Sequence, residues 1–302
     1  MDVRRLELLL ALSRLGSMRA VSDVLGVTTS TVSQQIAALA HEVGTPLLEP
    51  DGRRVRLTPA GRRLADHAVH ILAAHEAARA DLDPSADPAG TVRVAAFHTA
   101  IRDTLLPVVP QLPPAVRVAI QEQEPPEAIA LLERDQVDLA LTYDYNLAPA
   151  PQHAALQAAP LWENTWSLAV PSRSRRTSGT AVDVIAAFAD SDWIVNSRHT
   201  ADEQVVRTIA ALAGFEPRVT QRADSLQLVE EMITAGLGVA LMPATYPRAT
   251  GLSLRRLRDP EPRMRAHVLT RRGRGGWAPL ALLVGLLSAS RHAGAGGSGH
   301  RR

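Results

Sequence analysis

Residues 16–39 read GSMRAVSDVLGVTTSTVSQQIAAL and decide the fold of the N-terminal part of the chain. Ser17 and Thr28 are favourable N-cap residues, and each precedes a stretch with helical periodicity. Gly26 lies between the two stretches and supplies a tight turn. Two short helices joined by a glycine-containing turn form the helix-turn-helix pattern, so the sequence predicts this motif.

The second predicted helix has two different faces. Val32, Ile36 and Leu39 share an apolar face, whereas the opposite face carries hydroxyl and amide side chains. Such short polar groups can reach base edges and phosphates in a major groove. The candidate DNA contacts are therefore Ser17, Thr28, Thr29, Ser30, Thr31, Ser33 and Gln34. Taken alone, the stretch also fits an ordinary helical hairpin.

A basic strand follows the two helices. Asp51-Gly52 is a turn dipeptide, and Arg53, Arg54 and Arg56 come directly after it. Arginines next to a recognition helix would lie along phosphates or in the flanking minor groove. We expect Arg53, Arg54 and Thr58 to contact DNA, with Thr58 also capping a helix that starts at Pro59.

These residues resemble a known family in both order and spacing. The residues that carry the resemblance are Gly16-Ser17, Ala20, Leu25, Thr31 to Ile36, Leu39, Gly44, Leu47 and Leu57 to Gly61. Together they look like the winged helix-turn-helix of LysR-type transcriptional regulators, over residues 1–61. The chain departs from the family at Ala40, where glutamate is usual, and at Leu48-Glu49-Pro50, where Phe-x-Arg is usual. With that arginine absent, Arg53 or Arg54 is expected to make the wing's phosphate contact.

Residues 62–90 are predicted to form a linker. Helical spacing of apolar residues runs to residue 82, and prolines and a glycine between 83 and 90 form a hinge. A long helix with one apolar stripe needs a packing partner, and a second copy of the chain is the simplest one. His67, His70 and His75 lie on this helix, but nothing at suitable spacing completes a metal site, so no metal is expected.

Strands and helices alternate from Thr91 onward. Strands are predicted at 91–97, 116–120 and 137–142, and helices lie between them, the first of which includes 105–112. This order implies a parallel sheet with right-handed crossovers. A second set of strands and helices begins at Trp166 and ends with a glycine turn into a buried strand that finishes at Pro243.

The same family resemblance extends to this region. Asp138-Leu139-Ala140-Leu141 and residues 235–243 resemble the two-lobed, periplasmic-binding-protein type II-like effector domain of LysR-type regulators. The predicted fold class is thus α/β with a largely helical N-terminal domain. The effector domain is expected at 91–290, with lobe I formed by 91–160 and 246–290 and lobe II by 161–245. Residues 291–302 are predicted to be a disordered tail.

A ligand site is expected at the carboxyl ends of the predicted strands, where ligands bind open α/β sheets. Three segments meet this condition, and the resemblance points to the same places. The candidate effector contacts are Phe97, His98, Thr99, Ala100, Thr142, Tyr143, Asn196, Ser197, His199 and Thr200. Their donors and acceptors suit a small polar or anionic effector of unknown identity, and no other cofactor is expected.

Composition narrows the class of protein. The 302 residues include no cysteine, which excludes a disulfide framework, a thiolate nucleophile and cysteine zinc sites within the chain. There is no Walker loop, nucleophile elbow or HExxH helix, so no catalytic residues are predicted and an enzyme is not expected. We see neither a secretory signal nor an apolar run long enough to cross a membrane, so a cytoplasmic protein is predicted.

The resemblance implies a LysR-type transcription factor that answers to a small-molecule co-inducer. Its expected partners are double-stranded DNA, RNA polymerase and further copies of itself, as a homodimer or homotetramer. Two alternatives remain at this point. Another class of ligand-controlled winged-helix repressor would keep the DNA-binding motif, and a solute-binding protein would keep only the two-lobed fold.

Overall fold

The computed structural model describes residues 1–51, 54–82, 88–196, 201–247 and 250–295. The N-terminal domain begins with three helices, α1 (Val3–Leu15), α2 (Met18–Leu25) and α3 (Thr29–Val43). Each helix starts at a side-chain cap, provided by Asp2, Ser17 and Thr28 respectively. Each ends at a glycine in the left-handed conformation, which a residue without a Cβ adopts at little cost.

A short β-hairpin and a long helix complete this domain. Strands β1 (Leu48–Asp51) and β2 (Arg54–Leu57) are antiparallel, and helix α4 (Pro59–Leu82) follows them. Gly61 lies in the first turn of α4, where a Cβ would lie only 2.3 Å from the carbonyl oxygen of Leu47. Only glycine therefore allows the helix to approach the start of the hairpin this closely.

The first part of helix α4 packs against α1 of the same chain. Ala65, Ala68, Val69 and Ala73 are buried, and the helix lies against α1. The apolar stripe was expected to need a second copy, but α1 already covers much of it. Pairing through α4 remains a prediction for the rest of the helix.

The C-terminal domain alternates strands and helices as the sequence predicts. Its first half contains β3 (Gly90–Ala96), α5 (His98–Ala100) with a π-helical continuation (Ile101–Leu105), a 3-10 turn (Val109–Gln111), β4 (Val116–Glu122), α6 (Pro125–Glu133), β5 (Leu139–Tyr145) and β6 (Leu156–Pro171). Its second half contains α7 (Ala181–Ala186), β7 (Asp192–Asn196), α8 (Ala201–Leu212), β8 (Arg218–Ala223), α9 (Leu226–Thr234), β9 (Val239–Pro243), β10 (Leu252–Arg256), β11 (Arg263–Arg271), a 3-10 turn (Arg274–Gly276) and α10 (Ala278–Ala295).

Strand β6 divides this domain into two lobes. Its first part pairs with β11, in the sheet β4-β3-β5-β11 of lobe I, and its second part pairs with β9 and β10 in lobe II. The pairings β3–β4, β3–β5, β7–β8 and β7–β9 are parallel, as the strand–helix alternation predicts. Most of the buried apolar side chains lie between these sheets and the helices that cover them.

Three expectations need correction. The chain returns to lobe I after Arg256, not near residue 246, because β10 completes the lobe II sheet by pairing with β6. The helix expected over 105–112 is a π-helical end followed by a short 3-10 turn, since Pro107 and Pro110 interrupt helical hydrogen bonding. Helix α10 continues to Ala295, so residues 291–295 do not belong to a disordered tail; alanine and arginine favour the helix. Residues 296–302 lie outside the described part.

An ion-pair network joins the two domains. Asp135, which follows α6, accepts a hydrogen bond of 2.7 Å from Nε of Arg14 in α1. The guanidinium groups of Arg271 and Arg274 lie 3.9 and 4.0 Å from its other carboxylate oxygen. Asp135 is 3% exposed and has a positive φ of 57°. The buried carboxylate of Asp135, which lies among three arginines, thus links the N-terminal domain to lobe I.

Asp138 extends this network inside lobe I. Its carboxylate accepts from the side chain of Arg93 at 2.8 and 2.9 Å and from Arg274 at 2.6 Å. Burial alone would raise the pKa of Asp138, but the hydrogen bond and charge of Arg93 outweigh burial and keep that pKa below its usual value. Asp138 therefore stays ionised at neutral pH.

Candidate functional site

Helix α3 presents a polar surface to solvent. Val32, Ile36 and Leu39 are fully buried, whereas Thr29, Ser30, Ser33 and Gln34 are exposed on the other side. Two predicted contacts have structural roles as well. The hydroxyl of Ser17 caps α2 by accepting from the amide of Ala20, and Thr28 caps α3 by accepting from the amide of Thr31. The hydroxyls of Thr28 and Thr31 also lie 2.8 Å apart.

The hairpin beside α3 carries a pair of opposite charges. Glu49 on β1 lies 2.8 Å from Nε of Arg56 on β2; the side chain of Arg56 is exposed and that of Glu49 is partly buried. Thr58 uses its hydroxyl twice, donating to the carbonyl oxygen of Pro46 at 2.8 Å and accepting from the amide of Gly61 at 2.9 Å. Arg53 and the side chain of Arg54 lie outside what the structure describes. Their predicted phosphate contacts therefore stay predictions.

The two lobes of the C-terminal domain enclose a cavity of about 600 Å³, which we call the cleft. Lobe I, together with the crossing strand β6, contributes Phe97, His98, Thr99, Arg102, Asp103, Glu124, Tyr143, Trp162, Asn164 and Trp166. Lobe II contributes Asn196, Asp224, Ser225, Leu226, Gln227, Glu230, Glu231, Pro243, Thr245, Tyr246 and Pro247, and Met264 of β11 completes the lining. The volume is that of a small-molecule site.

The structure brings together half of the ligand contacts expected from the sequence. Phe97, His98, Thr99, Tyr143 and Asn196 all line the cleft, from the ends of β3, β5 and β7. Ser197, His199 and Thr200 lie outside the described residues, so their predicted contacts are not placed.

Two of the expected ligand contacts, Ala100 and Thr142, do not line the cleft. Ala100 is fully buried in the core of lobe I and does not line the cleft, because the short helix α5 turns it inward. Thr142 is 5% exposed and lies next to Tyr143 on β5. Successive side chains of a strand point to opposite faces, so Thr142 points away from the cleft when Tyr143 points into it.

Sequence reasoning missed the largest contribution to the cleft. Asp224, Ser225 and Gln227 follow β8, a strand that the sequence analysis did not identify, although the rule about strand ends applies to it equally. Glu230 and Glu231 lie on α9 directly after it. Trp162 and Trp166 lie on the crossing strand, and no sequence signal shows that this strand passes the cleft.

Aromatic side chains form a continuous wall behind and along the cleft. The rings of Phe97 and Tyr143 pack edge-to-face with centroids 4.8 Å apart, and Phe97 and Trp162 do so at 6.3 Å. Tyr145 continues the series to Tyr143 and to Trp166, at 6.1 and 5.5 Å. These edge-to-face contacts hold the rings in fixed positions.

A buried carboxylate supports this wall from behind. Asp202, in the first turn of α8, lies within hydrogen-bond distance of the hydroxyls of Tyr143 (2.6 Å) and Tyr145 (2.5 Å). Burial raises the pKa of Asp202 to about 7, although both tyrosine hydroxyls act to lower it. Glu124 lies 3.0 Å from the same Tyr143 hydroxyl and raises the pKa of Asp202 further. The carboxyl group behind the aromatic wall therefore changes its charge near neutral pH.

Neither a metal site nor a membrane-spanning helix occurs among the residues that the structure describes. In the described ranges, no group of three or more histidine, aspartate or glutamate side chains could hold a metal ion. Within the same ranges, no helix combines the length and the apolar character needed to cross a lipid bilayer.

Both parts of the chain match family models. Residues 3–62 match the bacterial regulatory helix-turn-helix protein, lysR family, and residues 85–290 match the LysR substrate binding domain. The chain belongs to the LysR family. It is a DNA-binding transcription regulator with an effector-binding domain, as the sequence resemblance predicted, and this family consists of regulators rather than enzymes.

Curated relatives agree with this assignment. This LysR-family regulator is 29% identical over 289 residues to a probable hydrogen peroxide-inducible genes activator of Mycobacterium avium, covering 90% of this chain and 89% of the relative. It is 27% identical over 228 residues to the transcriptional dual regulator GltC of Bacillus subtilis, covering 73% and 74% of the two chains.

Solved structures share the fold of this LysR-family regulator. Full-length OxyR from Pseudomonas aeruginosa superposes with a TM-score of 0.73 at 18% identity, covering 97% of this chain and 95% of that one. Full-length CbnR in complex with its target DNA gives a TM-score of 0.53 at 20% identity, covering 96% and 100%. At these identities the likeness concerns the fold alone.

Proposed function

We propose that this regulator binds promoter DNA through the exposed face of α3 and the β1–β2 hairpin, and that a small molecule in the cleft controls its action. The observation that carries the DNA-binding part is the exposure of Thr29, Ser30, Ser33 and Gln34 opposite a fully buried apolar face. A helix that is held rigidly from behind and is polar in front suits insertion into a major groove.

The hairpin adds contacts that do not depend on sequence. Arg53 and Arg54 come directly after Asp51-Gly52 in the sequence, and we propose that they reach the phosphates flanking the groove. Each phosphate that is neutralised releases counterions, so the affinity should fall steeply with salt. Ser17, Thr28 and Thr58 cap helices with their hydroxyl groups, and we propose that the outer atoms of these residues also approach the DNA backbone.

The enclosed cleft supports the effector part of the proposal. Its volume is large enough for a small molecule. The residues that line it include Phe97, His98, Thr99, Tyr143 and Asn196. One solved relative is a cysteine mutant of OxyR with hydrogen peroxide bound. This chain contains no cysteine, so we assign its response to a bound co-inducer instead of a thiol.

The proposal also includes how copies of the regulator assemble. We propose that the regulator acts in the cytoplasm, where the chromosome is, as a homodimer or homotetramer paired through α4. Two copies would place their α3 helices in successive major grooves of an interrupted palindrome, about one helical turn apart or a multiple of it. RNA polymerase is the partner through which binding would change transcription, and we propose no catalytic step.

A nuclease footprint tests the DNA-binding proposal. Purified full-length protein is mixed with the intergenic DNA beside its own gene at two salt concentrations. We expect protection over several helical turns, with hypersensitive bands where the DNA bends. If the protein protects neither this DNA nor any member of a library of random DNA sequences, the proposal is contradicted.

Two neighbouring glutamines of α3 supply a matched pair of variants. Gln34→Ala removes an exposed amide and should weaken specific binding by about 1–3 kcal/mol or relax the sequence preference. Gln35 accepts a hydrogen bond from Arg5 at 3.1 Å within the domain, so Gln35→Ala should change the thermal stability more than the sequence preference. Equal preferences for wild type and Gln34→Ala would show that the recognition surface is assigned wrongly.

A further inference from the structure

The cleft contains many more acidic than basic groups. Among the described residues that line the cleft, the one arginine is Arg102. Its Nε atom lies 2.6 Å from a carboxylate oxygen of Asp103, so its charge is already paired. The segments 197–200 and 248–249 border the cleft in sequence and contain Arg198 and Arg248. Even if both arginines faced the cleft, the carboxylates would remain in excess. These carboxylates are Asp103, Glu124, Asp224, Glu230 and Glu231.

Two of the carboxylates make their polar contacts with uncharged groups. Glu230 accepts a hydrogen bond of 2.6 Å from the hydroxyl of Tyr246, and Glu231 accepts one of 3.2 Å from the amide of Gln227. Glu230 is partly shielded from water, which strengthens its field in the cleft. An anion placed here would be repelled by both, whereas a cation would be attracted.

The aromatic content of the cleft points to the same class of ligand. The whole chain has four tryptophans, three tyrosines and three phenylalanines, and five of these ten residues line the cleft. They are Phe97, Tyr143, Trp162, Trp166 and Tyr246. Aromatic faces attract ammonium groups through the negative charge above the ring, and tryptophan does so best. Aromatic rings contribute no oxygen ligands, which a hard metal ion such as Ca²⁺ or Mg²⁺ would need.

We propose that the effector is a small organic cation, a primary amine or quaternary ammonium compound that carries an apolar body. The carboxylates of α9 and of the end of β8 would hold the positive group, and the rings of Phe97, Trp162 and Trp166 would cover the apolar part. This inference rests on the proposed function of the cleft as the effector site. It replaces the polar or anionic effector expected from the strand ends.

Matched probes of opposite charge test the proposal. Benzylamine and benzyltrimethylammonium carry the same ring as benzoate, so charge is the main difference between them. Each is titrated into the full-length protein, with tryptophan fluorescence and ligand-observed NMR as readouts. We expect both cations to bind at least tenfold more tightly than benzoate at pH 7.5.

Two variants connect the binding to the cleft. Glu230→Gln removes one charge at nearly constant shape and should weaken benzyltrimethylammonium binding at least fivefold. Glu216→Gln is the matched control, because Glu216 is 84% exposed, pairs with Arg207 and does not line the cleft. Circular dichroism checks that each variant is folded, and Glu231→Gln replaces Glu230→Gln if the latter is not.

The outcomes separate this inference from the proposed function. Tighter binding of benzoate than of the cations would overturn the cation class and leave the cleft as an effector site. Cation binding that is unchanged in Glu230→Gln and Glu231→Gln would overturn the assignment to the cleft. No binding of any probe at millimolar concentration would also overturn the inference. The footprint is measured without probe, so the DNA-binding proposal stands or falls separately.

Discussion

The hydroxyl of Tyr143 lies 2.6 Å from one carboxylate oxygen of Asp202, and the hydroxyl of Tyr145 lies 2.5 Å from the other. The Tyr143 hydroxyl is also 3.0 Å from Glu124. Three contacts between oxygen atoms thus share two phenolic protons, since each hydroxyl can donate only one hydrogen bond. A third proton on a carboxyl group satisfies all three contacts, and a pKa of about 7 makes Asp202 the group that carries it.

We predict that this carboxyl group makes the C-terminal domain less stable as the pH rises from about 4 to 7. The pKa is raised from 3.8 to about 7 on folding, so the folded state holds the proton after the unfolded state has lost it. At ~1.4 kcal/mol for each pKa unit, the effect amounts to about 4 kcal/mol at most. Above pH 7 both states are ionised and this contribution becomes constant.

Asp202→Asn tests this directly, because asparagine does not titrate. We expect the free energy of unfolding, measured by urea denaturation at several pH values, to fall less between pH 4 and 7 in the variant than in the wild type. Asp192→Asn is the matched control, since Asp192 pairs with Arg218 at the surface. Parallel pH profiles for wild type and Asp202→Asn would contradict the prediction.

A second prediction concerns the contact between the domains. Asp135→Asn keeps a residue that tolerates the positive φ of 57° but removes the charge that faces Arg14, Arg271 and Arg274. Removing one partner of a buried ion pair costs about 3–5 kcal/mol. We expect a lower midpoint of thermal unfolding and a larger radius of gyration in X-ray scattering. If the radius of gyration stays at the wild-type value, the network does not hold the domains together.

A third prediction concerns the hairpin beside α3. Glu49 neutralises Arg56 across the two strands, at 2.8 Å. Glu49→Gln leaves Arg56 free to contact a phosphate, so we expect tighter DNA binding. The slope of log affinity against log salt concentration should become steeper, by an amount that corresponds to at most about one further phosphate contact. Electrophoretic mobility shifts at four salt concentrations measure the slope. Arg56→Ala in the Glu49→Gln background should return the slope to the wild-type value.

A fourth prediction concerns the start of the linker helix. Gly61→Ala would place a Cβ 2.3 Å from the carbonyl oxygen of Leu47, so the helix or the hairpin must shift. We expect a loss of about 2 kcal/mol, comparable to an overpacked core substitution. Gly285→Ala is the control, because nothing lies within 4 Å of its added Cβ in α10, and it should add about 1 kcal/mol of helix stability. Equal thermal midpoints for the two variants would refute the steric argument.

The N-terminal domain could be predicted closely because its determinants are local. Caps at Ser17 and Thr28, a turn at Gly26 and apolar residues at helical spacing act within a few residues of each other. The cleft could be predicted in part, since the ends of β3, β5 and β7 follow from the strand order. The acidic part of the cleft, on α9, was not predicted because it follows β8. The residues of that strand alternate between exposed and partly buried positions, which gives a weaker sequence signal.

The sequence by itself determined the two-domain organisation, the recognition helix and the alternation of strands and helices, because these depend on periodicity and capping along the chain. Only the tertiary structure decided what meets in space. It brought Glu230 of α9, Trp162 of β6 and Phe97 after β3 to one cleft, and it placed Asp135 against Arg14. Contacts between residues so far apart in sequence depend on how the sheets pack, and local patterns carry no information about that packing.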